Sequence, residues 1–158
     1  MDPTTAKFPL LFAFHAAIVR QGFLAGVRAS GRAIAERERA DDWWILGVHP
    51  GAIAEHGSTL QDAVSRFRLR LKAVLIDFAE ETPDFAAFKR EVESFFNATE
   101  PESEQEWETA RQAVRAGKLS LAELPKVTDC PPPRVEVTLL DLVPDANVLD
   151  EQPCSLAA

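Results

Sequence analysis

The sequence predicts an α+β fold: a small antiparallel sheet, a long helix packed on one face of it, and two additional helices. Two stretches, residues 23–29 and 134–140, alternate apolar and polar positions with the period of a half-buried strand. Between them, Leu60, Ala63, Val64, Phe67, Leu71, Val74, Leu75 and Phe78 recur at i, i+3, i+4 and i+7, the stripe of a helix that faces a core. With 158 residues, 46% hydrophobic and 27% charged, the chain suits one packed domain that needs neither a disulfide nor a metal to hold it.

Taken in order, the first element is the apolar run Phe8 to Val19. It is about as long as a signal-peptide core, but Asp2 precedes it, His15 interrupts it, and no small-x-small cleavage site follows immediately. It is too short to span a bilayer. It reads as a buried strand or helix, with His15 a satisfied core residue. FLAGVRA at 23–29 sets Phe23, Ala25, Val27 and Ala29 on one side. Gly31 then marks a bulge or bend before RAIAERE continues the strand. The polar run Arg37 to Asp42 ends it, and DWWILGV starts a second strand, so the two form an antiparallel hairpin. His49-Pro50-Gly51 must turn, because Pro50 has no N–H for a ladder.

Ser58 with Gln61 makes a capping box for the long helix, on which Arg66, Arg68, Arg70 and Lys72 read as a solvated basic face. Thr82 as N-cap and Pro83 at the first position open the second helix, whose buried stripe is Phe85, Phe88, Val92, Phe95 and Phe96. Ser103 and Glu106 open the third, which carries Trp107, Ala110 and Val114 and stops at Gly117. Leu119, Leu121 and Leu124 pin the next loop. Pro131 to Pro133 form a stiff spacer before the final strand, RVEVTLL. The domain is expected to span 1–140, with 141–158 a flexible acidic tail.

The net charge of −8 disfavours direct nucleic-acid binding, which needs a surplus of Lys and Arg against phosphate, and favours a basic protein partner. Cys130 and Cys154 have no zinc-type spacing and read as free thiols. Neither a phosphate loop nor an HExxH nor a paired-carboxylate signature is present, so the sequence proposes no catalytic residue, metal ligand or cofactor. His56 lies near Glu55, Ser58 and Asp62, but such a group at a helix start is more simply a cap. Trp43 and Trp44 would project to opposite faces of a strand, leaving at most one for the sheet-helix core and the other as an interface anchor. Trp43, Trp44, Glu36, Glu38, Asp141, Asp145 and Asp150 are the candidate partner-binding residues.

From Ala33 to Ala63 the order is strand, acidic hairpin, DDWWILGV, Pro50-Gly51, and then AEHGSTLQDA opening the helix. This segment resembles the HicB-like antitoxin family. In that family a strand ends in Pro-Gly and is followed by a G-x-T-x-x-E-A helix start; Gly57, Thr59, Asp62 and Ala63 match the latter, with Asp in the acidic position. Glycine lets the chain reverse, the hydroxyl caps, Asp62 suits the positive end of the helix dipole, and Ala63 permits close packing. The resemblance covers roughly residues 23–80 plus the final strand. It implies a HicB-like core and a cytoplasmic, bacterial binding protein that is not an enzyme, its partner a small HicA-like RNA-cleaving toxin. The chain departs from the family in interposing two helices before Arg134, and DNA binding is not carried over. The alternative is a structural protein of the same fold that self-associates, as a homodimer for example, without a toxin.

Overall fold

The computed structural model describes residues 5–141 and 154–158. Its spine is a hairpin of two long strands, β1 (Ala6–Arg20) and β2 (Phe23–Arg39), paired in continuous register from Ala6 with Arg37 to Arg20 with Phe23. Gly22 closes the two-residue turn at φ 109°, a conformation side chains resist. The apolar run at 8–19 is therefore strand, and its dense hydrophobicity reflects burial on most of one face and part of the other.

The other edge of β2 is shared. Residues 24–30 pair with β6 (Arg134–Asp141), while residues 32–39 pair with β3 (Asp42–His49), both antiparallel. Gly31 sits where the two partners part, next to a register shift between Arg32 and Ala33, which is the irregularity the sequence suggests. A Cβ there would lie 2.4 Å from the His49 carbonyl oxygen and 2.5 Å from the Phe12 ring, so glycine alone fits.

β3 continues to β4 (Ala54–Gly57), and on the far side β1 pairs with β7 (Ser155–Ala157), which in turn pairs in parallel with β5 (Lys126–Val127). The protein is thus α+β, with a seven-stranded sheet in the order β4-β3-β2-β1-β7-β5 and β6 on the shared edge of β2. The parallel β5–β7 pair makes it mixed where a wholly antiparallel sheet was expected. β7 also corrects the expected tail. Cys154, Leu156, Ala157 and Ala158 are all buried, so 154–158 belong to the core, while the rest of the expected tail beyond Asp141 lies outside the described residues.

Three helices complete the fold: α1 (Leu60–Glu81), α2 (Phe85–Asn97) and α3 (Pro101–Arg115). α1 and α2 cover the face formed by Phe8, Leu10, Phe12, Phe14, Ala16 and Ile18. Phe67 meets Phe12 edge-on at 5.3 Å, and Phe88 packs 5.4 Å from Phe23. α3 lies over the opposite face, where Trp107 joins Leu11, Ile34, Val48 and Ala157 and its Nε1–H donates to the Leu10 carbonyl at 3.1 Å.

The helix starts differ from expectation by one to three residues. Thr59, not Ser58, caps α1: its Oγ1 accepts from the Asp62 N–H at 3.0 Å. Thr82 ends α1 instead of opening α2, its hydroxyl donating to the Phe78 carbonyl, and the N-cap of α2 is Asp84, whose anionic oxygen suits that terminus better. α3 begins at Pro101 after Glu100, which makes no side-chain cap bond; proline is tolerated at the first position because its missing N–H would be an orphan there in any case. Gly117, at φ 74°, follows its C-cap as expected. Among the described residues no helix is long and apolar enough to cross a membrane.

Candidate functional site

Alternation along β3 decides which tryptophan is available. Trp43 turns inward, 4% exposed, against the Phe8 ring and beneath the Arg37 guanidinium, and this removes it from the candidate partner-binding residues. Trp44 turns outward and is 37% exposed.

The register places Lys7, Glu36, Trp44 and His56 in one row across four strands. The Trp44 and His56 rings stand 4.9 Å apart, and His56 Nε2 is held by Asp42. Lys7 bridges Glu106 of α3 at 3.1 Å and Glu36 at 3.6 Å. The hydrogen bond to Glu106, with the charge of Glu36 beside it, raises the Lys7 ammonium above its ordinary value despite partial burial. Glu38 and Asp41 stand exposed at the tip of the β2–β3 hairpin. The result is an aromatic centre with an acidic border, beside β4, which has no outer neighbour among the described strands.

Of the other expected binding residues, Asp141 is exposed at the end of β6, far along β2 from this surface, since it pairs with Leu24 while Trp44 pairs with Glu36. Asp145 and Asp150 lie outside the described residues. Glu36 is half-buried. Trp44, Glu36 and Glu38 are the ones the fold brings together.

The polar residues near His56 separate into distinct pairs. His56 goes to Asp42, Glu55 to Arg70 at 2.8 Å, and Asp62 to Arg66 and the Ser58 N–H. No serine or cysteine meets a histidine in these contacts, so the arrangement offers no activated nucleophile. It also corrects the expectation that His56 belongs to the helix cap. His15, expected in the core, is half-exposed because it falls on the odd-numbered face of β1, opposite Phe14. His49 contacts Asn97 Oδ1 at 3.3 Å. Cys130 and Cys154 are free thiols, and among the described residues no three His, Cys, Asp or Glu side chains converge on a metal-sized site.

Sequence reasoning missed Arg68. It is 5% exposed, not part of a solvated face, and its Nη1 donates to the Ala13 carbonyl at 2.7 Å. The signal was available: Arg68 lies four residues after Val64 and three before Leu71, on the apolar stripe itself. Comparison of the chain with protein-family models, with curated proteins and with solved structures finds no match.

Proposed function

We propose that the chain is a non-catalytic binding module, HicB-like in kind, that occludes a basic partner protein through the surface centred on Trp44. The carrying observation is that Trp44, alone of the two adjacent tryptophans, stands outward, paired with Glu36 across the strands and beside the His56–Asp42 pair, with Glu38 and Asp41 exposed at the tip of the same hairpin. A half-exposed aromatic inside a charged border has the composition of an interface hot spot and its rim. The acidic border and the net charge of −8 would attract a cationic surface at long range, and a small HicA-like RNA-cleaving toxin is the partner class the family resemblance suggests.

The test compares wild type with Trp44→Ala as immobilised bait. The reading requires a basic protein that wild type retains, whose association slows as salt rises, and that Trp44→Ala binds at least about tenfold more weakly, on the order of 1.4 kcal/mol. Retention unaffected by Trp44→Ala, or association independent of salt, would remove the proposal. Self-association is the second reading, favoured by exposed Leu139 and Leu140 on β6, whose outer edge has no strand partner among the described residues. A concentration-dependent dimer abolished by Leu140→Ser would support that reading instead.

A further inference from the structure

On the opposite side of the sheet from Trp44, an open cavity of about 810 Å³ lies between the first three turns of α1, the end of the β2–β3 hairpin and the loop at Glu123 to Pro125. Pockets that hold small molecules typically measure roughly 300–1,000 Å³. Trp43, Leu60, Val64 and Leu124 supply apolar wall, and Arg37 and Arg68 line it with two guanidinium groups.

Arg68 is the informative one. A guanidinium stays charged under all ordinary conditions, and burying such a charge without a counter-ion is expensive. Yet Arg68 is 5% exposed, and its contacts are the Ala13 carbonyl and, at 3.9 Å, the Cys154 sulfur, a weak acceptor. Among the described residues no carboxylate pairs with it. Those contacts engage two of the five donors a guanidinium carries, leaving capacity for a bidentate anion from the cavity side. Arg37, exposed at the rim, stacks 5.2 Å from the Trp43 ring and likewise pairs with no carboxylate among the described residues. The positive end of the helix dipole of α1 opens nearby at Thr59 to Gln61.

The wall also holds one opposing charge, Glu123, and Asp62 in the first turn of α1 is already paired with Arg66. A dianion would meet Glu123 while having only one buried guanidinium to receive it. A single carboxylate suits the balance better, and the apolar wall of Trp43, Leu60, Val64 and Leu124 favours an apolar body attached to that head group.

We propose that this cavity binds an amphipathic carboxylate, one carboxylate on an apolar or aromatic body, with Arg68 taking the head group and Trp43, Val64 and Leu124 the body. The site is independent of the Trp44 surface, because Trp43 and Trp44 point to opposite faces.

The experiment is titration of the full chain with octanoate, octanol and inorganic phosphate, followed by calorimetry and by mass-spectrometric alkylation of Cys154 relative to Cys130. Octanoate should bind at least tenfold more tightly than octanol or phosphate and should slow alkylation of Cys154, which lies in the cavity wall, without slowing that of Cys130. Arg68→Met should weaken octanoate tenfold or more, and Arg37→Gln severalfold. Should Arg68→Met fail to fold, Ser65→Trp at an exposed position on the same wall must weaken octanoate tenfold while leaving the far-UV spectrum unchanged. Equal binding of octanol would reduce the site to an apolar hollow, equal binding of phosphate to a general anion site, and unchanged affinity in the variants would place octanoate elsewhere; each overturns the proposal.

Discussion

Along β1 the residues Phe8, Leu10, Phe12, Phe14, Ala16 and Ile18 point to one face of the sheet, and Leu11, Ala13, His15, Ala17 and Val19 to the other. The first set meets α1 and α2 and is 5% exposed or less at every position. The second is covered at Leu11 by Trp107 and opens progressively, until Val19 is 49% exposed. The same strands therefore build a face closed by many interlocking aromatics and a face closed at one end by one helix, α3, whose only buried aromatic is Trp107. The difference teaches where a protein partner can dock: Trp44, Glu36 and Lys7 belong to the thinly covered face, whereas Trp43 and Arg68 belong to the face under α1, which is open to a small molecule at the cavity they line.

The strongest test of that contrast pairs Phe67→Ala with Trp107→Ala. Truncating either fully buried ring should cost about 3–5 kcal/mol, a large share of the roughly 5–15 kcal/mol that holds a domain together. The distribution of the loss should differ. Phe67→Ala should accelerate hydrogen exchange in α1, β1 and β3 alike, because its ring touches the shared core. Trp107→Ala should release α3 first, since its indole bonds to Leu10 and stacks under Arg32 but lies outside the main cluster. Equal acceleration in α1 and α3 for both variants would show that the two faces unfold as one unit.

Sequence patterns revealed the closed face better than the open one, for a physical reason. The period-3.6 stripe of α1 and the alternation at the start of β2 report burial against a neighbour, while that of β6 does so at Val137 but not at Leu139, which is exposed; α1, β2, β3 and β6 themselves stand where the sequence puts them. Trp43 and Trp44 split between faces because adjacent strand residues must. β1 was ambiguous because burial on both sides of its first half erases alternation. Arg68 escapes sequence reasoning because a charged residue on an apolar stripe is usually solvated, and its contacts, the carbonyl of Ala13 and the sulfur of Cys154, come from distant elements. β7 had no local signal: Ser155–Ala157 is short, and its pairing with β1 spans more than a hundred residues of sequence.

That long-range strand gives the second test. Leu156 is 2% exposed, pairs with Leu10, and donates its N–H to the Pro125 carbonyl at 3.0 Å, so it ties β1 to the loop before β5. Leu156→Ala should cost about 2–5 kcal/mol by chemical denaturation. A loss below about 0.5 kcal/mol would show that β7 is a passive addition to the sheet edge.

The smallest effect belongs to the open face, at the ion pair that links Lys7 of β1 to Glu106 of α3. Its side chains are 39% and 41% exposed, so water and salt screen it, and exposed pairs of this kind contribute about 0.2–1 kcal/mol. A double-mutant cycle of Lys7→Gln and Glu106→Gln measures the coupling free of other losses. Its pH dependence has a defined sign. The folded state raises the Lys7 pKa, chiefly through the hydrogen bond to Glu106, so the folded protein holds this proton more tightly than the unfolded chain does. The stabilisation is therefore complete below the unfolded value of 10.5 and is lost as pH rises through the higher folded value. Wild type should lose more stability than Lys7→Gln over that alkaline interval, and the gap should narrow in high salt. Coupling near zero with no alkaline difference would leave the buried stripe of Trp107, Ala110 and Val114, with the Arg111 bond to the Ala158 carbonyl, to hold α3 in place, and would show that its border ion pair adds nothing.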